Sequence, residues 1–576
     1  MSFSVVRYLV VFGLLILAFG CSREVEKPAA DLLRHVPADT PYVFVNSRHL
    51  PDALRARLAD YYAAQLASQR ASLAQLRKQI EASEDTAPMA DAARQAFAVM
   101  DALLAEFEGR DTAEKVRELG IEPVTRSVLY GIGLLPAMRV EIADAQRLNA
   151  MLDRVEQRAG VSAARGELDG QAYRRIDLGK IDAVLAVADR YAIAGLLPDT
   201  LFDRDLPLLL GQQTPAESLA DKGLLTDIIK AHGFTGYGEG FIDLRGLVAT
   251  VAGKGAGRNL ETLQAIELPP PPLSDGCLRL TGDLVAGMPR MVMGITSADA
   301  QQMTVRGVWE STPAVAAHLQ RLAAPVPGVG GPYDGLLAFG MGIDLPQLRN
   351  AVEALLQTIL AAGASCEWVD PAELQAVIPR LNLALGPMTA GIHGFNLLLD
   401  DLVFDPELMQ PSEVRGGLLA AVDDPRGVFA LGAMFNPALA ALQVPQDGTF
   451  VDLPSDLGMG AETPPMKVAI KDKSLLLLAG RDAGALADTL LGAVPTSPAP
   501  LLAFDYGVYQ LVERFGRTIE AAADRMASAG DPSTAADLRA QLDGFRLQAE
   551  LFDRLRVALY ANDKGLVMDQ EMRLRQ

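Results

Sequence analysis

Cysteine, histidine and positive charge are all scarce in this sequence, and each shortage narrows what the protein can be. Three cysteines and five histidines among 576 residues leave little material for metal chemistry. The histidines, His35, His49, His232, His318 and His393, stand at least 14 residues apart. Each reads as a structural histidine before an acid–base group or a ligand. Lys and Arg number 52 against 72 Asp and Glu, a formal net charge of −20. A surface this acidic repels nucleic acid over most of its area, so no nucleic-acid partner is expected. Also missing are G-x-S-x-G, H-E-x-x-H, G-x-x-x-x-G-K-[ST], C-x-x-C and an EF-hand loop. No cofactor, metal site or catalytic residue is expected.

What the chain has is apolar bulk. Half of it is hydrophobic and 22% is charged, enough to bury a sizeable core and unlike a disordered or collagen-like chain. At ~150 residues per domain the length corresponds to about four structural units.

The front of the chain reads as an address. Tyr8–Gly20 (YLVVFGLLILAFG) follows Arg7 and runs thirteen residues without a charge. A spanning helix needs roughly 20 residues, so residues 1–20 fit the apolar region of a signal peptide. Ala18-Phe19-Gly20-Cys21 places small residues around a cleavable bond immediately before a thiol. The expectation is lipidation at Cys21, with residues 21–40 as a polar tether. An ordinary signal peptide or an uncleaved anchor is the alternative. Several acyl chains at ~0.8 kcal/mol per buried CH₂ would hold the protein stably on a bilayer.

Behind the tether the same order of elements occurs twice. Ala186–Gly195 and Ala469–Gly480 each read as strand, Asp-Arg or Asp-Lys turn, and strand, followed by a helical stretch ending in Leu-Leu-Gly. A short apolar strand ending in Asn or Asp ahead of a helix recurs at Asn46, Asp243, Asp344 and Asp505. A polar residue there suits an N-cap. PVPGVGGP at 325–332 reads as a linker between an N-terminal half, 41–324, and a C-terminal half, 333–576. Long helical hairpins are expected over 51–83 and 89–108, broken at Thr86-Ala87-Pro88, and over 506–529 and 533–550. A terminal β-hairpin turns at Asn562–Gly565. The fold class is α+β: two pseudo-repeated halves of antiparallel sheets with helices packed on one face, plus the helical hairpins.

Cys21 together with Val36-Pro37-Ala38-Asp39-Thr40-Pro41-Tyr42 resembles a group of uncharacterised envelope lipoproteins of Gram-negative bacteria. Their mature part likewise opens with a Pro-Ala-Asp-Thr-Pro motif ahead of an apolar strand. Tyr130–Pro136 and Gly236–Asp243 are similar to that group as well. The resemblance carries no known activity. Ser22 after the Cys fits sorting to the outer membrane, on its periplasmic face.

Other groups look structural. Gly253-Lys254-Gly255-Ala256-Gly257-Arg258 could cradle an anion but reads as a helix–helix loop. Asp400-Asp401 and Asp423-Asp424 read as surface turns. Cys277 and Cys366 would form a disulfide in an oxidising compartment, stapling the two halves across 325–332. The alternative is two unrelated buried cysteines. Three functional classes remain: an anchored, non-catalytic scaffold or interaction module for an envelope protein, a carrier or sensor of an apolar ligand, and a hydrolase without a recognisable motif. The scaffold is the leading expectation. An apolar cavity with few polar groups would favour the carrier. A cleft holding a titratable pair would favour the enzyme.

Overall fold

The computed structural model describes residues 30–82, 91–268, 271, 273–363, 366, 369–386, 389–404, 411–454, 464–481 and 483–576. Cys21 and the break at Thr86-Ala87-Pro88 lie outside them. The chain forms two compact units. The first holds the described residues up to Pro272 together with Arg290–Val305; the second holds Leu273–Pro289 and Arg306–Gln576. Two units serve where length alone suggested four, because each is built on one wide sheet.

The strands of the first unit are β1 (Tyr42–Asn46), β2 (Ser127–Ile132), β3 (Leu135–Glu141), β4 (Ala164–Leu168), β5 (Gln171–Asp177), β6 (Ile181–Ala188), β7 (Tyr191–Pro198), β8 (Glu239–Asp243) and β9 (Arg290–Ala298). They pair antiparallel throughout in the order β9-β8-β1-β2-β3-β7-β6-β5-β4. The turns follow from the residues at them. Asp169-Gly170 between β4 and β5 and Asp189 between β6 and β7 adopt positive φ, as tight hairpins with right-twisted strands require. Helices α1 (Asp52–Ala82) and α2 (Asp91–Phe107) separate β1 from β2, and α3 (Ala145–Ala159) follows β3. Helix α4 (Phe202–Leu210) follows β7, and α5 (Leu244–Val251) and α6 (Gly257–Ala265) follow β8. One core cluster joins Ala63 of α1, Ala102 and Phe107 of α2, and Leu148, Met151 and Val155 of α3. The opposite face of β7 meets α4. A Cβ at Gly195 would lie 2.6 Å from Leu209 Cδ1, so glycine admits the helix.

In the second unit, α7 (Asp275–Gly287) comes first. Strand β10 (Gln302–Glu310) begins among residues of the first unit and ends among those of the second; the strands after it are β11 (Leu337–Gly342), β12 (Ile392–Phe404), β13 (Pro411–Val422), β14 (Val451–Asp452), β15 (Met466–Lys471), β16 (Ser474–Ala479), β17 (Pro500–Gly507), β18 (Phe552–Asn562) and β19 (Gly565–Leu574). Strands β11 to β19 are antiparallel in the order β19-β18-β17-β11-β12-β13-β16-β15-β14. Eight consecutive positions, β9 to β5 in the first sheet and β18 to β14 in the second, match strand for strand. The helices match as well. Helices α8 (Leu345–Gly363) and α9 (Pro371–Ala384) lie between β11 and β12, α10 (Pro425–Phe435) follows β13, and α11 (Gly484–Leu491) follows β16. Helices α12 (Val508–Ser528) and α13 (Pro532–Leu551) lie between β17 and β18. The chain is therefore an α+β pseudo-repeat.

Two features differ from what the sequence order implies. PVPGVGGP at 325–332 is a packed loop of the second unit. Val326 and Val329 are 2% and 1% exposed, and Gly328 N donates to Val494 O at 3.0 Å. The apolar residues between its glycines and prolines find the core, while the glycines supply the bends. The disulfide does not staple two units. Cys277 on α7 and Cys366 between α8 and α9 both belong to the second unit, with S–S 2.02 Å and Cα–Cα 4.4 Å. They share a small core with Leu280, Leu273, Ile359 and Val369. Helix α7 is placed by this apolar face, not by its position in the chain.

Candidate functional site

A cavity of about 290 Å3 opens in the first unit between α2, α3 and the sheet. Its floor can be built from the strand registers. Leu129, Met138, Ala194, Leu185 and Arg174 stand directly opposite one another across β2, β3, β7, β6 and β5. Leu196, Ala183 and Ile176 form the next row on the same face. Side chains two apart on a strand share a face, so these two rows make one apolar surface. Helix α2 roofs it with Val99, Met100 and Leu103, and α3 with Leu152 and Val155.

The floor can be compared with the equivalent row of the second unit. Aligning the two hairpins on their left-handed turn residues, Asp189 and Asp472, sets Ala192 and Ala194 against Leu475 and Leu477. The corresponding row of the second unit reads Leu397, Leu418, Leu477 and Val468. Along this row Ala194 stands where the repeat has Leu477, and Leu185 stands where it has Val468.

One end of the cavity is polar. Glu156 of α3 and Arg174 of β5 line it. Arg174 Nε donates to Glu156 Oε1 at 2.9 Å, Nη1 to Asn149 Oδ1 at 2.7 Å and Nη2 to Asp153 Oδ1 at 2.8 Å. Arg165 Nη1 donates to the same Glu156 oxygen at 2.8 Å, and its Nη2 to Asp153 at 3.1 Å. Two cations thus face two carboxylates, and Arg165 is held further in its charged form by its hydrogen bond to Glu156. No single residue of this site could be picked from the sequence. A partial signal was Ala194 in β7, which aligns with Leu477 of the repeat.

The second unit has a more polar depression of about 740 Å3, lined by Asp344, His393, Lys471, Asp472, Lys473 and Ser474 among others. At its edge His393 Nε2 lies 3.2 Å from Asp423 Oδ1, and Lys473 Nζ lies 2.7 Å from the same oxygen. Lys473 and His393 together hold the Asp423 carboxyl below its usual range. One carboxylate oxygen, half in solvent, is shared by Lys473 of the β15–β16 turn and His393 of β12 and ties the two together.

The other residues singled out from sequence separate into distinct roles. Asp243 and Asp344 cap helices, accepting from Gly246 N at 3.0 Å and Gln347 N at 2.9 Å. Asn46 does not cap; its side chain donates to Ser127 Oγ at 3.0 Å. Asp505 does not cap either. It is buried between Arg554 and Arg556, accepting from the latter at 3.0 Å. The four do not form one site. Arg258, at the end of the Gly-rich loop, is engaged by the buried carboxylate of Asp205. Asp400 and Asp401 lie within β12, not in a turn, paired with Arg415 and Arg514. Asp424 caps α10 through Gly427 N. His49 pairs with Glu141 at 3.4 Å and His232 stacks on Phe234. His318 lies against Arg321. His35 is half-buried beside Arg139, and burial followed by that guanidinium pushes its pKa down to about 4.

Among the described residues no group of three or more His, Cys, Asp or Glu is placed to hold a metal ion. No described helix is long and apolar enough to cross a membrane. No protein-family model matches the chain, and no curated protein or solved structure matches it significantly.

Proposed function

We propose that this chain is a carrier or sensor of an apolar ligand, held at the periplasmic face of a bacterial outer membrane by lipidated Cys21. The cavity between α2, α3 and the first sheet carries this reading. An apolar space of about 290 Å3 is large enough to take up a small apolar molecule. Among the described residues two charged side chains line it, and a small number of polar groups in an apolar lining is the usual makeup of a binding site. The cavity moves the balance from scaffold to carrier. Chemistry is not part of the proposal, and neither is a nucleic-acid partner. The address rests on the leader, on Ala18-Phe19-Gly20-Cys21, and on the resemblance of Pro37–Pro41 to Gram-negative envelope lipoproteins.

A scaffold role toward an envelope protein has one observation in its favour. Leu355, Val377 and Leu383 on the α8–α9 hairpin are 45%, 41% and 85% exposed, and exposed apolar side chains are what a docking surface uses.

Naphthalene is a suitable probe, being apolar and of the right size. Its fluorescence should show saturable binding of one molecule to the unacylated mature chain. Ala183→Phe, which fills the floor, should weaken binding by at least about tenfold, the equivalent of 1.4 kcal/mol, with circular dichroism unchanged. Binding that is absent in the wild type, or unaffected by the substitution, contradicts the carrier role. The anchor is tested separately. Cys21→Ala should abolish fatty-acid labelling, and persistent labelling would refute lipidation.

A further inference from the structure

The polar end of the cavity specifies what its ligand can carry. We infer that the ligand is a neutral apolar molecule with a hydrogen-bond-donating head, an alcohol or phenol, and not a carboxylic acid or other anion. This rests on the carrier reading and refines it.

Size comes first. With liquid water occupying about 30 Å3 per molecule, 290 Å3 accommodates about ten non-hydrogen atoms. A phospholipid or a full-length membrane acyl chain is larger than this space.

Charge decides the head group. A fatty acid would need a free cation, and Arg174 is the cavity's only lining cation among the described residues. Its Nε, Nη1 and Nη2 are already committed to Glu156, Asn149 and Asp153, at 2.9, 2.7 and 2.8 Å. Nη2 also reaches Asn149 O at 3.4 Å. The guanidinium lies largely out of solvent, with a side chain 12% exposed. Four of the five guanidinium N–H groups are used in this way, and a ligand carboxylate taking the one left on Nη1 would sit against the Glu156 and Asp153 carboxylates that hold this arginine. Like charges at that range repel, and partial burial strengthens the repulsion.

A donor meets the opposite situation. Glu156 accepts both of its recorded hydrogen bonds, from Arg165 and Arg174, on the single oxygen Oε1. Among the described residues no donor is directed to Oε2. A carboxylate oxygen can accept from a hydroxyl, and a hydrogen bond to a charged group is stronger than a neutral one. The apolar cavity thus has an acceptor side chain, Glu156, in its lining.

Three ligands of nearly equal size separate the possibilities by calorimetry on the unacylated mature chain: n-nonanol, methyl octyl ether and nonanoate. The alcohol donates, the ether only accepts, and the acid is an anion. The alcohol should bind at least about tenfold more tightly than either of the others, the value of one charge-assisted hydrogen bond. Glu156→Gln should narrow the difference between n-nonanol and nonanoate, because it removes the repelling charge. The comparison on the wild type needs no variant, so a folding defect in Glu156→Gln leaves the test intact. Equal binding of all three overturns the head-group assignment while leaving the carrier reading in place. Tighter binding of nonanoate overturns it in favour of an acid. Binding of none of the three overturns both.

Discussion

Glu239 on β8 is 1% exposed, and its carboxyl curls back to accept from Gly238 N at 3.2 Å. Burial raises its pKa from 4.5 to about 7. The folded state then keeps a proton that the unfolded state has lost, so stability is greatest below about pH 4.5 and falls as the pH rises to about 7. At 1.36 kcal/mol per pKa unit, the penalty at neutral pH is roughly 3 kcal/mol. Glu239→Gln should raise the urea midpoint at pH 7.5 and flatten the dependence below it. A variant with the wild-type pH profile would contradict this. Residue roles of this kind were the least legible in the sequence. The same strand-then-polar pattern placed caps correctly at Asp243 and Asp344. It misjudged Asn46, whose partner Ser127 arrives 81 residues later, and Asp505, whose partners Arg554 and Arg556 lie about fifty residues on. A cap is a local hydrogen bond and can be read locally. A buried ion pair depends on which strand comes to lie alongside.

Elements were far more legible. The α12–α13 hairpin, with Asp531 accepting from Thr534 N at 3.1 Å, lies within a residue or two of its expected bounds, and the β18–β19 hairpin turns between Asn562 and Gly565 as expected. The paired hairpins β6–β7 and β15–β16 turn at the aspartates that marked them. In each case the periodicity and the turn chemistry are contained in the segment itself. PVPGVGGP misled because glycine and proline mark bends equally well in a linker and in a packed loop. Helix α7 misled because its buried face, Cys277 and Leu280, is satisfied by a part of the chain that sequence order does not indicate. The disulfide on that face closes a loop of 89 residues, which restricts the unfolded chain by roughly 4–5 kcal/mol in the loop-entropy model. The Cys277→Ser, Cys366→Ser variant should lose a large part of that in urea unfolding, and dithiothreitol should no longer lower its midpoint. An unchanged midpoint in the double variant would contradict the stabilising role.

At the scale of the molecule, one topology serves two interiors. Both units share eight strand positions and the order of their helices, and this repeat was visible in the sequence as hairpin, turn and Leu-Leu-Gly. The difference between them was not visible. The cavity's lining comes together only when β7 lies between β3 and β6 under α2 and α3. Empty space belongs to no residue, and no motif announces it. The account therefore depends on whether a ligand enters that space in solution. Methyl-selective NMR of the unacylated mature chain during a naphthalene titration reads this directly. Saturable shifts should be confined to Met100, Met138, Ala183, Ala194 and their neighbours, while Ala469 and Leu476 of the second unit stay in place. Shifts that never saturate, or that fall mainly outside the α2–α3 cavity, would contradict the claim that this protein carries an apolar ligand there.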